Sequence, residues 1–161
     1  MAREEIPRPK IYVSDPIALD FKPGDKFYRI DLEIYGLDHG GASYEGRVFV
    51  NNRKANHNTP KTNRSGYVGS IHVFGHGGCF GDVGHCEVRA DRRDYDLRPS
   101  HPLTKMFTRI IITEPLRKLI EKGAKEATFT IVPVVKGGDP EMCDFENVIK
   151  LDSLSLVTFD E

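Results

Sequence analysis

Short runs of alternating apolar and charged residues, separated by turns, are the feature that most constrains this fold. In residues 27–35, apolar side chains at the even positions alternate with charged ones at positions 29, 31 and 33. This period of two is typical of a half-buried strand. Further extended runs occupy residues 11–13, 47–50, 67–74, 107–112, 127–135 and 149–159. They predict an all-β protein, an antiparallel Greek-key β-sandwich or barrel of about seven strands.

Residues 113–123 predict one short helix within this β-rich chain. Thr113 is placed to cap the first amide groups, and Pro115 sits in the first turn, where a missing N–H costs nothing. Gly123 suits the end of the helix. One face of the segment carries an apolar stripe formed by Leu116, Leu119 and Ile120.

The 161 residues predict a single β-domain over 1–161, with residues 1–10 as a loose N-terminal arm. The net charge is -1, and no basic stripe indicates a nucleic-acid partner. No apolar run is long enough for a membrane span, so no membrane partner is expected. Residues 1–25 lack the apolar core of a signal peptide, which leaves the localisation unknown and the cytoplasm as the default.

The chemically distinctive part of the sequence is a long Gly/His/Cys-rich loop predicted over residues 75–102. Irregular segments of this length inside a compact domain are usually functional. Imidazole and thiolate ligands suit copper and zinc, and the glycines let the backbone fold tightly around a shared point. The candidate metal ligands are His72, His76, Cys79, Asp82, His85, Cys86 and His101. In the competing interpretation His72 is a core histidine and the glycines only form turns.

Cys79 and Cys86 are seven residues apart, and two interpretations bring their sulfur atoms together. They form either a disulfide or a shared metal site completed by an imidazole of His76 or His85. Alternatively, they are buried thiols that pack as small apolar side chains. We expect the two sulfurs to converge, and we expect Cys143 to lie apart because it follows a separate turn.

Residues 66–82, with the sequence GYVGSIHVFGHGGCFGD, resemble the C-terminal β-domain of bacterial tyrosinase-family proteins. Residues 95–99 and 101–104 add to this resemblance, which extends more distantly to plant polyphenol oxidases. In that family a separate helical domain binds two copper ions through six histidines, and the β-domain covers the copper site. The present sequence has no counterpart of those helices.

The resemblance therefore implies a non-catalytic accessory or shielding domain, with no catalytic residue assigned. Its expected partner is a helical type-3 copper oxidase domain or subunit, and its expected cofactor is copper, with zinc as the alternative. A second interpretation is a small stand-alone copper or zinc metalloprotein, an enzyme if the metal keeps an open coordination position. A third is a structural interaction β-sandwich.

Overall fold

The computed structural model describes residues 8–22, 24–78, 94–95, 97, 103–137, 141 and 143–160. The strands in this part of the chain are β1 Tyr12–Val13, β2 Ile17–Ala18, β3 Arg29–Leu37, β4 Ser43–Val50, β5 Tyr67–Val73, β6 Met106–Ile111, β7 Glu126–Ala127, β8 Phe129–Gly137 and β9 Ser153–Phe159. Helix α1 spans Thr113–Glu121, and a single 3-10 turn spans Asn63–Ser65. The predicted all-β class with one short helix is confirmed.

The strands form two main antiparallel sheets. The first has the order β1-β8-β4-β5 and the second has the order β6-β3-β9, while β2 and β7 pair separately. The chain therefore passes between the two sheets several times. Strand β3 is in the three-stranded sheet, β4 and β5 are in the four-stranded sheet, and β6 is in the three-stranded sheet again. Strand β8 then returns to the four-stranded sheet, and β9 to the three-stranded one. The described sheets do not close into a barrel, so the sandwich alternative matches the structure.

One hydrophobic cluster joins the inner faces of the two sheets. The three-stranded sheet contributes Ile30, Leu32 and Ile34 of β3, which are fully buried. The four-stranded sheet contributes Tyr44, Val48, Ile71, Val73, Phe129 and Ile131. Helix α1 adds the buried side chains of its apolar stripe, Leu116 and Ile120.

The helix begins and ends close to its predicted bounds, but its start is built differently. Ile112 occupies the N-cap position and makes no capping hydrogen bond with its side chain. The hydroxyl of Thr113 instead accepts a hydrogen bond from the amide of Ile30 at 2.9 Å. The predicted capping role of Thr113 is therefore wrong, because this hydroxyl ties the helix to the start of β3. Gly123 follows the helix in a left-handed conformation, as its predicted role requires.

Several element bounds differ from the sequence prediction. Strand β4 begins at Ser43 rather than at residue 47, and β9 begins at Ser153 rather than at residue 149. The two-residue strand β2 is additional to the predicted set. Of the arm predicted over residues 1–10, the structure describes residues 8–10. Within them the amide of Lys10 donates to the Glu146 carbonyl at 2.7 Å.

Two neighbouring isoleucines provide a matched test of this core. Ile112 is 1% exposed and Ile111 is 58% exposed. We expect Ile112→Ala to lower the free energy of unfolding by about 2–5 kcal/mol, because it leaves a cavity. We expect Ile111→Ala to change it by less than about 0.5 kcal/mol. Urea unfolding of both variants measures the difference, and equal effects would contradict the described burial.

Candidate functional site

The structure describes only part of the predicted ligand set. His72 and His76 are described. The remaining candidates lie outside the described residues: Cys79, Asp82, His85, Cys86 and His101. The expected convergence of the Cys79 and Cys86 sulfurs therefore also lies outside the described part of the chain. Cys143 is a buried free thiol that packs in the main hydrophobic cluster.

His72 lies on the outer face of the four-stranded sheet. It stands opposite Glu45 of β4, and its side chain is exposed. Its neighbours Ile71 and Val73 point the other way, into the core. The interpretation of His72 as a core histidine is therefore wrong, because the strand places it on the solvent side.

His76 contacts a histidine that the sequence analysis left out of the ligand set. The rings of His39 and His76 meet edge to face, with centroids 4.8 Å apart and ring planes at 75°. His39 follows β3, and His76 follows β5. The two residues thus lie where two strands of different sheets end on the same side of the sandwich.

Backbone pairing brings these two chain segments together. The amides of residues 76–78 donate to the carbonyls of residues 39–41 at 2.9–3.0 Å. At Gly75 a β-carbon would overlap the carbonyl oxygen of Gly41, so any larger residue would separate the segments. Gly77 adopts a φ of +66°, a left-handed conformation that favours glycine. The glycines therefore permit the close approach that places His76 beside His39.

Hydrogen bonds to backbone carbonyls orient both imidazole rings. Nε2 of His39 lies 2.6 Å from the carbonyl oxygen of Thr104, and Nδ1 of His76 lies 3.2 Å from the carbonyl oxygen of His39. A carbonyl oxygen only accepts hydrogen bonds, so each of these nitrogens carries the proton. In the neutral rings, Nδ1 of His39 and Nε2 of His76 then hold free lone pairs.

This arrangement is suited to metal ligation but supplies only part of a ligand set. Histidines that bind metals commonly donate their other ring N–H to a carbonyl or carboxylate, as His39 and His76 do. Within the described ranges, no three His, Cys, Asp or Glu side chains come together as a metal site. Each histidine therefore has one ring nitrogen left for a metal, and imidazole nitrogens are ligands that tetrahedral zinc and copper centres use.

A second polar cluster surrounds Glu45 on the outer face of the four-stranded sheet. Its carboxylate is 7% exposed and accepts hydrogen bonds from Lys61 at 2.9 Å and Ser70 at 3.0 Å. Arg47 and Lys136 lie at 3.5 Å and 3.8 Å from its other oxygen. The hydrogen bond from Lys61 lowers the pKa of Glu45 most. The hydrogen bond from Ser70 and the positive charges of Arg47 and Lys61 lower it further, to about 2.

The Glu45 cluster anchors the loop at residues 51–66 to the sheet. Lys61 belongs to this loop, and so does His57, whose Nε2 lies 2.9 Å from the carbonyl oxygen of Pro133. A general base works best when its pKa is near the working pH, and Glu45 is far below that range. The cluster is thus a structural support, and the histidine pair is the stronger candidate site.

Comparison with known proteins returned no match to a family model, a curated protein or a solved structure. No helix in the described ranges is both long and apolar enough to cross a membrane. The tyrosinase resemblance and the functions that it implies therefore stand as proposals.

The close approach at Gly75 provides one test of the histidine pair. We expect Gly75→Ala to lower the free energy of unfolding by about 1–3 kcal/mol through steric overlap. The nuclear Overhauser contacts between the rings of His39 and His76 should disappear. Gly41→Ala is the control, since its β-carbon would meet no atom within 4 Å. Ring contacts that persist in the Gly75→Ala protein would show that the pairing does not depend on Gly75, and their absence from the unmodified protein would refute the described pairing.

The low pKa of Glu45 predicts how stability depends on pH. Its folded pKa of about 2 lies below the ordinary value of 4.5, so its stabilising contribution is complete above 4.5 and disappears as the pH falls toward 2. We expect Glu45→Gln to lower the free energy of unfolding by about 1.5–3 kcal/mol at neutral pH. The free energy of unfolding of the variant should also fall less than that of the unmodified protein as the pH is lowered.

Chemical denaturation between neutral and acid pH measures this effect of Glu45. Glu121→Gln, on the exposed face of α1, is the matched control and should behave like the unmodified protein. An equal loss of stability in both variants would show that the Glu45 contacts are not specific.

Proposed function

We propose that this chain is a non-catalytic accessory domain that binds copper and contacts a helical type-3 copper oxidase domain or subunit. The observation that carries the proposal is the His39–His76 pair, with one ring nitrogen of each histidine held by a backbone carbonyl. The Gly/His/Cys segment continues directly from this pair after Gly78.

The ligand chemistry supports copper as the metal. Imidazole nitrogens bind copper and zinc, and thiolate ligands select Cu(I) among the copper states. Cys79 follows His76 by three residues, and further predicted ligands come soon after it in the chain. We propose that one or two of them complete the ligand set begun by His39 and His76.

The surroundings of the pair support a contact with another protein. His76 is exposed, and Phe74, two residues earlier, is 81% exposed. An exposed aromatic side chain two residues before His76 in the chain offers apolar contact area to a partner. The tyrosinase resemblance supports a helical copper domain as the protein that uses it.

Metal titration of the purified full chain tests the copper site. We expect one Cu(I) per chain, measured by competition with a chromophoric chelator. His39→Ala and His76→Ala should each weaken binding by about tenfold or more, because each removes a ligand. His57→Gln is the control, since His57 bonds to the carbonyl of Pro133 in another part of the sandwich. Equal affinity in all the variants would overturn the site.

The same histidine pair supports a second proposal, a small stand-alone copper or zinc metalloprotein. The two proposals differ in whether a partner is required. Affinity purification of the full chain from its native cells should recover a helical copper oxidase if the accessory function holds. Stoichiometric metal that stays bound through purification, with no such partner recovered, would favour the stand-alone metalloprotein.

A further inference from the structure

A groove with an apolar floor lies between helix α1 and the start of strand β5. We call it the helix groove; its volume is about 290 Å³. Its floor is lined by Val50, Tyr67, Val68, Pro115 and Leu119. Its rim is lined by Asn63, Glu114, Lys118 and Lys122. It lies at the end of the sandwich where β3 begins, whereas the histidine pair lies beyond the end of β3.

The rim of the helix groove carries two cations without counter-ions. Lys118 and Lys122 are exposed, and both line the groove: Lys118 is in the last turn of α1, and Lys122 follows the helix at its C-cap position. Neither side chain has an ion pair or hydrogen bond within the described part of the chain. Glu114 is also on the rim, but its carboxylate accepts a hydrogen bond from Arg117. The rim therefore presents two free ammonium groups above an apolar surface.

We propose that the helix groove binds a small organic anion with an apolar body, such as a medium-chain carboxylate. The apolar body packs on Val68 and Leu119, and the carboxylate lies between Lys118 and Lys122. This proposal is independent of the copper site, because it concerns the opposite end of the sandwich.

The size and the charge of the groove together favour this class of ligand. Ligand pockets are mostly apolar, carry a few polar groups that fix the orientation, and commonly have volumes of about 300–1,000 Å³. The helix groove is at the lower limit of that range, which suits a medium-length acyl chain or a single aromatic ring system. Charge complementarity to the two lysines requires the polar end of the ligand to be anionic.

Amide chemical-shift mapping of the full chain with octanoate tests this proposal. Saturable shifts are expected at residues 63–68 and 114–122, with none at residues 39–43. Octanol shares the apolar body and acetate shares the charge, so both should bind more weakly than octanoate. Octanol binding as tight as octanoate binding would contradict the role of the lysines, and the absence of saturable shifts would overturn the site.

A double substitution, Lys118→Gln with Lys122→Gln, tests the charged rim without changing the apolar floor. It should weaken octanoate binding by about fivefold or more and leave octanol binding unchanged, because exposed ion pairs contribute modestly but specifically. A second double substitution, Lys26→Gln with Lys150→Gln, is the matched control, since both lysines are exposed and neither lines the groove. An equal loss of octanoate binding in the control would show only a general effect of net charge and would refute the proposed rim.

Discussion

The packing of strand β3 against the four-stranded sheet is the interaction on which the rest of this structure depends. Ile30, Leu32 and Ile34 are fully buried between the sheets, and β6 and β9 pair with β3 on either side. At the start of β3, the amide of Ile30 donates a hydrogen bond to the hydroxyl of Thr113. This bond fixes the position of α1 and of the helix groove beside it. Beyond its other end, the chain turns through His39 toward β4. A single buried strand therefore sets the positions of both candidate sites.

The fold was predictable where burial follows local sequence, and it was not where burial depends on distant contacts. The alternation in residues 27–35 and the apolar stripe of residues 113–123 identified β3 and the helix, because each pattern shows which side chains face the core. The first half of β4 was missed because Glu45 interrupts its apolar pattern. Its carboxylate is nonetheless buried, since Lys61 and Ser70 reach it from sixteen and twenty-five residues away. No local pattern in the sequence reveals such a compensation.

The candidate site shows the same division. His76 was identified as a candidate ligand because the residues around it are rich in glycine, histidine and cysteine. His39 was not identified, because its contact with His76 joins residues thirty-seven positions apart. The signal that could have found it is the matching pair of glycine-rich strand ends, residues 40–41 and residues 75–78. Glycine in both segments permits the backbone approach that the structure shows. The predictions that concern Cys79 and Cys86 remain predictions, since both residues lie outside the described ranges.

Buried carboxylates on the outer faces of the sheets act against misaligned strand pairing. Asp31 is fully buried on the outer face of β3, where Arg29 binds both of its oxygens at 2.6 Å and 2.5 Å. A shift of register by one residue would turn Asp31 and Glu33 toward the core, and an unpaired buried charge costs several kcal/mol, roughly the stability of a small domain. Glu45 has the same effect in the four-stranded sheet. Asp31 and Glu45 are engaged by cations, and Glu33 accepts a hydrogen bond from the hydroxyl of Tyr35, so all three acids serve the fold and leave binding chemistry to the two ends of the sandwich.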